Sequence, residues 1–78
     1  MKIDIYGMDN CSYCQSATQF CTAAGLDYNY IDLTKSPEQL DVLEERIGRF
    51  RTVPQIFING EHVGGYTEFR EAAKNGRG

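Results

Sequence analysis

Ile3 and Ile5 alternate with Lys2, Asp4 and Tyr6, the period-two pattern of a strand with one face better buried than the other. Gly7 to Asn10 is turn-like, and beyond it the period changes. Cys14, Ala17, Thr18, Cys21 and Ala24 recur three or four apart, with Phe20 alongside and Gln15, Gln19 and Thr22 facing elsewhere. That spacing predicts a helix, which Gly25 can stop. Tyr28, Tyr30 and Ile31 predict a second strand, followed by an exit loop over Asp32 to Lys35. Ser36-Pro37-Glu38-Gln39 then reads as a helix start: a hydroxyl cap, a proline at the first helical position, and a glutamine placed to close a capping box. Leu40, Leu43 and Ile47 mark one face of this helix, and Gly48 ends it.

Gln55 to Ile58 predicts a third strand, and Asn59-Gly60 is the two-residue signal for a type I′ turn into a fourth strand around His62 and Val63. After Gly64-Gly65 a last short helix is expected from about Thr67, with Phe69, Ala72 and Ala73 on its inner side and a frayed tail over Asn75 to Gly78. A helix between the first two strands favours a parallel, right-handed crossover, and the hairpin adds an antiparallel pair. The fold class expected is therefore α/β, a four-stranded mixed sheet flanked by three helices in the order β-α-β-α-β-β-α. No repeat, linker or low-complexity stretch interrupts residues 1–78, a length that allows one small domain.

Charge narrows the choice of partners. With 8 basic against 11 acidic residues the chain carries a formal charge of -3, and Arg46, Arg49 and Arg51 form its one basic cluster, so nucleic acid is not an expected partner. No apolar run approaches the ~18 residues needed to cross a bilayer, and the Met1-Lys2 start lacks the apolar core of a signal peptide. A soluble, cytoplasmic protein is expected.

Chemistry enters with Cys11-Ser12-Tyr13-Cys14, two thiols three positions apart where strand gives way to helix. The first N–H groups of a helix have no intrahelical partner and carry partial positive charge, so a sulfur placed there is stabilised as the thiolate that attacks disulfides. Cys11 is the expected nucleophile and Cys14, one turn further in, the resolving thiol. Three cysteines is an odd count, which disfavours a structural disulfide framework. Zinc is the competing use of such a pair, but a closed site takes four ligands and only Cys21 and His62 remain as soft candidates. Cys21, two turns along the same helix face, is a poor fourth corner; it reads as a buried, inert thiol, and His62 as surface.

Three blocks together resemble the glutaredoxin family: Cys11 to Cys14, then Arg51-Thr52-Val53-Pro54-Gln55-Ile56-Phe57-Ile58-Asn59-Gly60, then Gly64-Gly65-Tyr66-Thr67-Glu68. The likeness spans almost the whole chain and implies the thioredoxin-like fold. It implies a glutathione-dependent thiol–disulfide oxidoreductase that reduces protein disulfides and glutathione mixed disulfides, working in electron transport and cell redox homeostasis. It also implies that Val53-Pro54 is cis, where local sequence alone favours an ordinary trans proline opening a strand. A cis bond would turn the Val53 backbone toward the Cys11 sulfur, ready to pair with a bound thiol peptide. Thr67 and Glu68 match the corner that receives the γ-glutamyl carboxylate of glutathione, held by the Thr67 backbone and hydroxyl, with Gly64-Gly65 allowing its close approach and Tyr66 flanking it; a loose turn is the plain alternative. Tyr13 reads as a wall for the ligand or as surface packing. Arg51 reads as a partner for the glycine-end carboxylate or as a solvated cation, and Gln55 as a second donor to that carboxylate or a solvent-facing amide.

The chain departs from the family pattern where Met8 stands in place of a common lysine and Ser12 in place of a common proline, and it lacks a short final helix. Two further readings follow. A serine at position 12 occurs in relatives that hold a [2Fe-2S] cluster between protomers, ligated by each Cys11 and by two glutathione thiolates. A redoxin served by thioredoxin reductase shares fold and motif, although Tyr13 and the Gly64 to Glu68 corner argue against it. Partners implied by the resemblance are glutathione and disulfide-bearing or glutathionylated proteins, ribonucleotide reductase among the family's common clients; a monomer is expected.

Overall fold

The computed structural model describes residues 1–75; of the frayed tail expected over Asn75 to Gly78, positions 76–78 lie outside the described residues. The elements are β1 (Ile3–Gly7), α1 (Ser12–Ala23), β2 (Tyr28–Asp32), α2 (Glu38–Ile47), β3 (Gln55–Ile58), β4 (Glu61–Gly64) and α3 (Tyr66–Lys74), in the expected order. One sheet runs β2-β1-β3-β4. β1 lies parallel to β2, with Ile5 opposite Tyr30, and antiparallel to β3, with Ile5 opposite Ile56.

Alternation along the strands divides the core. Ile3 and Ile5 of β1 and Ile56 and Ile58 of β3 point to one face, where Ala17 and Cys21 of α1 and Phe69 of α3 cover them. Tyr6 and Phe57, one residue out of phase, point to the other, where Leu43 of α2 and Leu33 close a second cluster with Leu40 and Ile47. Helices α1 and α3 therefore share one side of the sheet and α2 takes the other. Arg46 seals the second cluster: its guanidinium lies 3.8 Å from the centre of the Phe57 ring and donates to the Tyr6 hydroxyl at 3.1 Å.

Turn chemistry largely follows the residues. Gly25 takes φ +70 after α1, with the Leu26 N–H donating to the Cys21 carbonyl (2.8 Å) and the Gly25 N–H to Thr22 (3.2 Å), a Schellman ending. Asn59 and Gly60 both have positive φ, as a type I′ turn requires, and β4 carries a bulge because Ile56 faces Gly64 while Phe57 faces His62.

Two helix starts differ from expectation. Pro37 has the helical dihedrals expected of it, but no side chain caps α2; the first turn is closed instead by the Gln39 N–H bonding the Ser36 carbonyl at 2.9 Å. The third helix begins one residue before Thr67, at Tyr66, with Gly65 as its cap. A glycine has no side chain to offer, so only half of a capping box exists: the Gly65 N–H donates to the Glu68 carboxylate at 2.9 Å.

Candidate active site

The loop after β1 turns through Asn10, at φ 57, and delivers Cys11 in an extended conformation as the cap of α1. Its sulfur accepts a hydrogen bond from the Cys14 N–H at 3.2 Å, the third free N–H of the helix. Cys11 is half-buried, Cys14 is 1% exposed, and the two are joined as a disulfide with their Cα atoms 5.2 Å apart. In the reduced pair the same N–H and the positive end of α1 are placed to hold a charge on Cys11. The helix period explains the asymmetry: Cys14, Ala17 and Cys21 form the buried stripe of α1, while Cys11 stands at its open end.

Across from α1 the chain reaches β3 through Val53-Pro54, whose peptide bond is cis. The Val53 carbonyl oxygen lies 3.6 Å from the Cys11 sulfur. Gln55 holds this segment from behind. It is 8% exposed, its amide donates to the Thr52 carbonyl at 2.8 Å, and its oxygen lies 2.8 Å from Nε2 of His62. Both expected uses of Gln55 are corrected by this, since its amide is neither open to a ligand nor facing solvent. His62, exposed as expected, nonetheless has a partner, and its ring sits 5.2 Å from Phe57.

A groove of about 220 Å³ opens between these pieces. Tyr13 of α1 forms one wall, Thr52, Val53 and Pro54 another, and Gly65, Tyr66, Thr67 and Glu68 the third. The fold thus gathers residues that lie far apart in sequence into one lining. Arg51 is exposed and is not among the lining residues. Tyr13, 64% exposed, stacks on Tyr66 with ring centroids 6.2 Å apart, and the Arg70 guanidinium lies 5.4 Å from the Tyr66 ring. Gly64 is required here: its φ is +119, and a Cβ would press on Glu68 at 3.1 Å.

Glu68 lies at the corner expected for it but makes a bond that sequence reading did not foresee. Its carboxylate ties down the helix start and puts a negative charge on the groove lining. The signal was present, because Gly65 and Glu68 have the cap-to-third-residue spacing of a capping box. Thr67, at the second helical position, is exposed on the groove. Met8 is half-buried against the second core cluster. Cys21 is fully buried, and burial pushes its thiol up to about 11, so it stays protonated and unreactive at neutral pH. Among the described residues no three His, Cys, Asp or Glu side chains gather into a set able to hold a metal ion. Cys11 offers one open sulfur, so this chain alone does not fit an iron–sulfur cluster.

Comparison with known proteins agrees with this geometry. The family model described as Glutaredoxin matches residues 3–63. The glutaredoxin of Vibrio cholerae is 34% identical over an alignment covering 100% of this chain and 97% of its own. The crystal structure of glutaredoxin 1 from Francisella tularensis in complex with cacodylate superposes with a TM-score of 0.73 at 30% identity, over 95% of this chain and 93% of that one. The buckwheat glutaredoxin–glutathione complex superposes with a TM-score of 0.79 at 27% identity, over 96% of this chain and 70% of that one.

Proposed function

The chain belongs to the glutaredoxin family and is a thiol–disulfide oxidoreductase of thioredoxin-like fold, and we propose that glutathione is its electron donor. The observation that carries this reading is the groove beside Cys11, walled by Tyr13, the Thr52 to Pro54 segment and the start of α3. A neighbour of the same architecture was solved with glutathione bound. In this chain the cysteinyl backbone of glutathione pairs with the Val53 backbone, its γ-glutamyl carboxylate meets the free N–H groups near Thr67, and Tyr13 and Tyr66 flank it. Arg51, one residue before Thr52, supplies a cation for the glycine-end carboxylate. Residues 1–78 act as a single monomeric domain in the cytoplasm; no helix of the described residues is long and apolar enough to cross a membrane.

The reaction is exchange. Cys11 thiolate attacks one sulfur of a protein disulfide or of a glutathione mixed disulfide, forming a new S–S bond as the other sulfur leaves with the electron pair and takes a proton. The mixed disulfide on Cys11 then resolves by attack of Cys14, which gives the Cys11–Cys14 disulfide, or by attack of a second glutathione. Two glutathiones return that disulfide to the dithiol and leave as oxidised glutathione. Clients are disulfide-bearing or glutathionylated proteins, ribonucleotide reductase being one candidate.

The deciding experiment compares reductants on the oxidised protein. Glutathione with glutathione reductase restores the dithiol, and thioredoxin reductase with NADPH does not. The opposite result overturns the reading in favour of a thioredoxin-reductase-dependent redoxin.

A further inference from the structure

Cys14 lines a cavity of its own. Together with Met8, Asp9, Tyr28, Tyr30 and Asp32 it borders a space of about 380 Å³ that shares no lining residue with the groove beside Cys11. The end of β1 explains how close these groups come. A Cβ on Gly7 would overlap the Tyr30 hydroxyl and approach the Cys14 sulfur to 2.9 Å, so both atoms occupy the room this glycine leaves open. The parallel register of β1 and β2 sets the meeting, since it places Tyr30 on the α1 side of the sheet opposite Ile5. The hydroxyl donates one long bond, 3.3 Å, to the Met8 carbonyl.

We propose that Tyr30 is a further catalytic residue of the resolving step, its hydroxyl turning from the Met8 carbonyl to donate to Cys14 as that thiol ionises into the cavity. This rests on the dithiol reading of Cys14 above. The step balances: Cys14 gives its proton to water in the cavity, and the thiolate attacks Cys11 in the mixed disulfide. The Cys11–Cys14 bond forms, and the bond from Cys11 to the partner sulfur breaks. The partner leaves with the electron pair and takes a proton from solvent, so the two cysteines are oxidised and the partner is reduced.

The surroundings make a neutral donor necessary. The titratable groups facing Cys14 are Asp9 from the loop, Tyr28, Tyr30 and Asp32 from β2, and Cys11; α1 itself adds only uncharged Gln15 and Thr18. The two carboxylates oppose a third negative charge there, whereas a protonated phenol stabilises it. Tyr30 keeps its proton well into alkaline solution, because burial, then the charges of Asp32 and Asp9, push its phenol above the ordinary value.

The test is the rate of Cys11–Cys14 closure from the Cys11–glutathione mixed disulfide, followed against pH by stopped flow. Tyr30→Phe is expected to close about tenfold more slowly at neutral pH, the worth of one hydrogen bond gained in the transition state, with its pH–rate profile displaced upward. 3-Fluorotyrosine at position 30, a stronger donor of nearly the same shape, is expected to displace the profile downward. Wild-type closure rates and profiles in both proteins overturn the proposal. A Cys14→Ser protein that reduces protein disulfides as the wild type does overturns the dithiol reading instead, and the role of Tyr30 with it.

Discussion

The Cys11 sulfur lies 3.6 Å from the Val53 carbonyl oxygen, a contact made across a separation of 42 residues. This sulfur and this backbone are therefore brought together by the tertiary fold and not by the local chain.

Unequal roles for the two sulfurs give the first prediction. Cys11→Ser is expected to reduce turnover of both protein disulfides and glutathione mixed disulfides to background. Cys14→Ser is expected to keep the mixed-disulfide activity and lose dithiol reduction, because Cys14 is buried and, in the proposed reaction, enters only at resolution. A glutathione-coupled assay on each substrate type reads the difference.

Glu68 both closes the start of α3 and lines the groove. Glu68→Ala removes the side-chain bond to the Gly65 N–H and should cost about 1 kcal/mol in thermal or urea unfolding. Glu68→Gln can keep that bond while removing a negative charge from the groove. Its stability loss should be no more than about half as large, and its KM for a glutathione mixed disulfide should rise severalfold, since the γ-glutamyl end proposed to sit near Thr67 carries an ammonium on the same carbon as its carboxylate and loses its counter-charge. An unchanged KM would separate Glu68 from the γ-glutamyl end.

Alkaline titration tests Cys21. Its folded pKa, about 11, stands above the unfolded value near 9, so the native state holds the proton longer. The stability this confers is complete below about pH 9 and is lost as pH rises toward 11, at up to about 1.4 kcal/mol per pH unit. Cys21→Ala should flatten that slope in urea unfolding at pH 9 to 11. Iodoacetamide at pH 8 should leave Cys21 unmodified in the native protein and label it after denaturation.

Gln55 braces the groove without touching ligand. Gln55→Leu strands the Thr52 carbonyl and the His62 ring, and a loss of about 1–2 kcal/mol is expected. The Thr52 to Pro54 wall should loosen, raising KM more than it lowers kcat in steady-state assays.

Local rules made most of the fold legible. Period-two spacing found β1 and helical spacing the faces of α1 and α2, aromatic and β-branched residues marked β2, and the turns at Gly25 and Asn59-Gly60 followed from residues that tolerate positive φ, the second of them pointing to β4. The cysteine pair was equally legible, since a helix start acts on a sulfur through its own backbone. What stayed hidden depends on contacts between distant segments. Gln55 looked like a free amide at a strand start until Thr52 and His62 closed around it. Tyr30 looked like an ordinary strand aromatic until the register of β1 and β2 brought it beside Gly7 and Cys14. Ser36 shows the converse error: a cap signature was present and Pro37 took the helical dihedrals expected of it, but backbone bonds closed the first turn without a side-chain cap.

Phe20 of α1 and Phe69 of α3 meet edge to face, 5.6 Å apart, between the two helices that supply the Tyr13 wall and the Tyr66 to Glu68 wall of the groove. That ring pair acts as the spacer of a vice, setting the gap between its two jaws from inside the oily interior. Shaving either ring should blunt discrimination among thiol ligands at temperatures where the protein is still folded, so the gauge of the jaws would slip before the frame gives way.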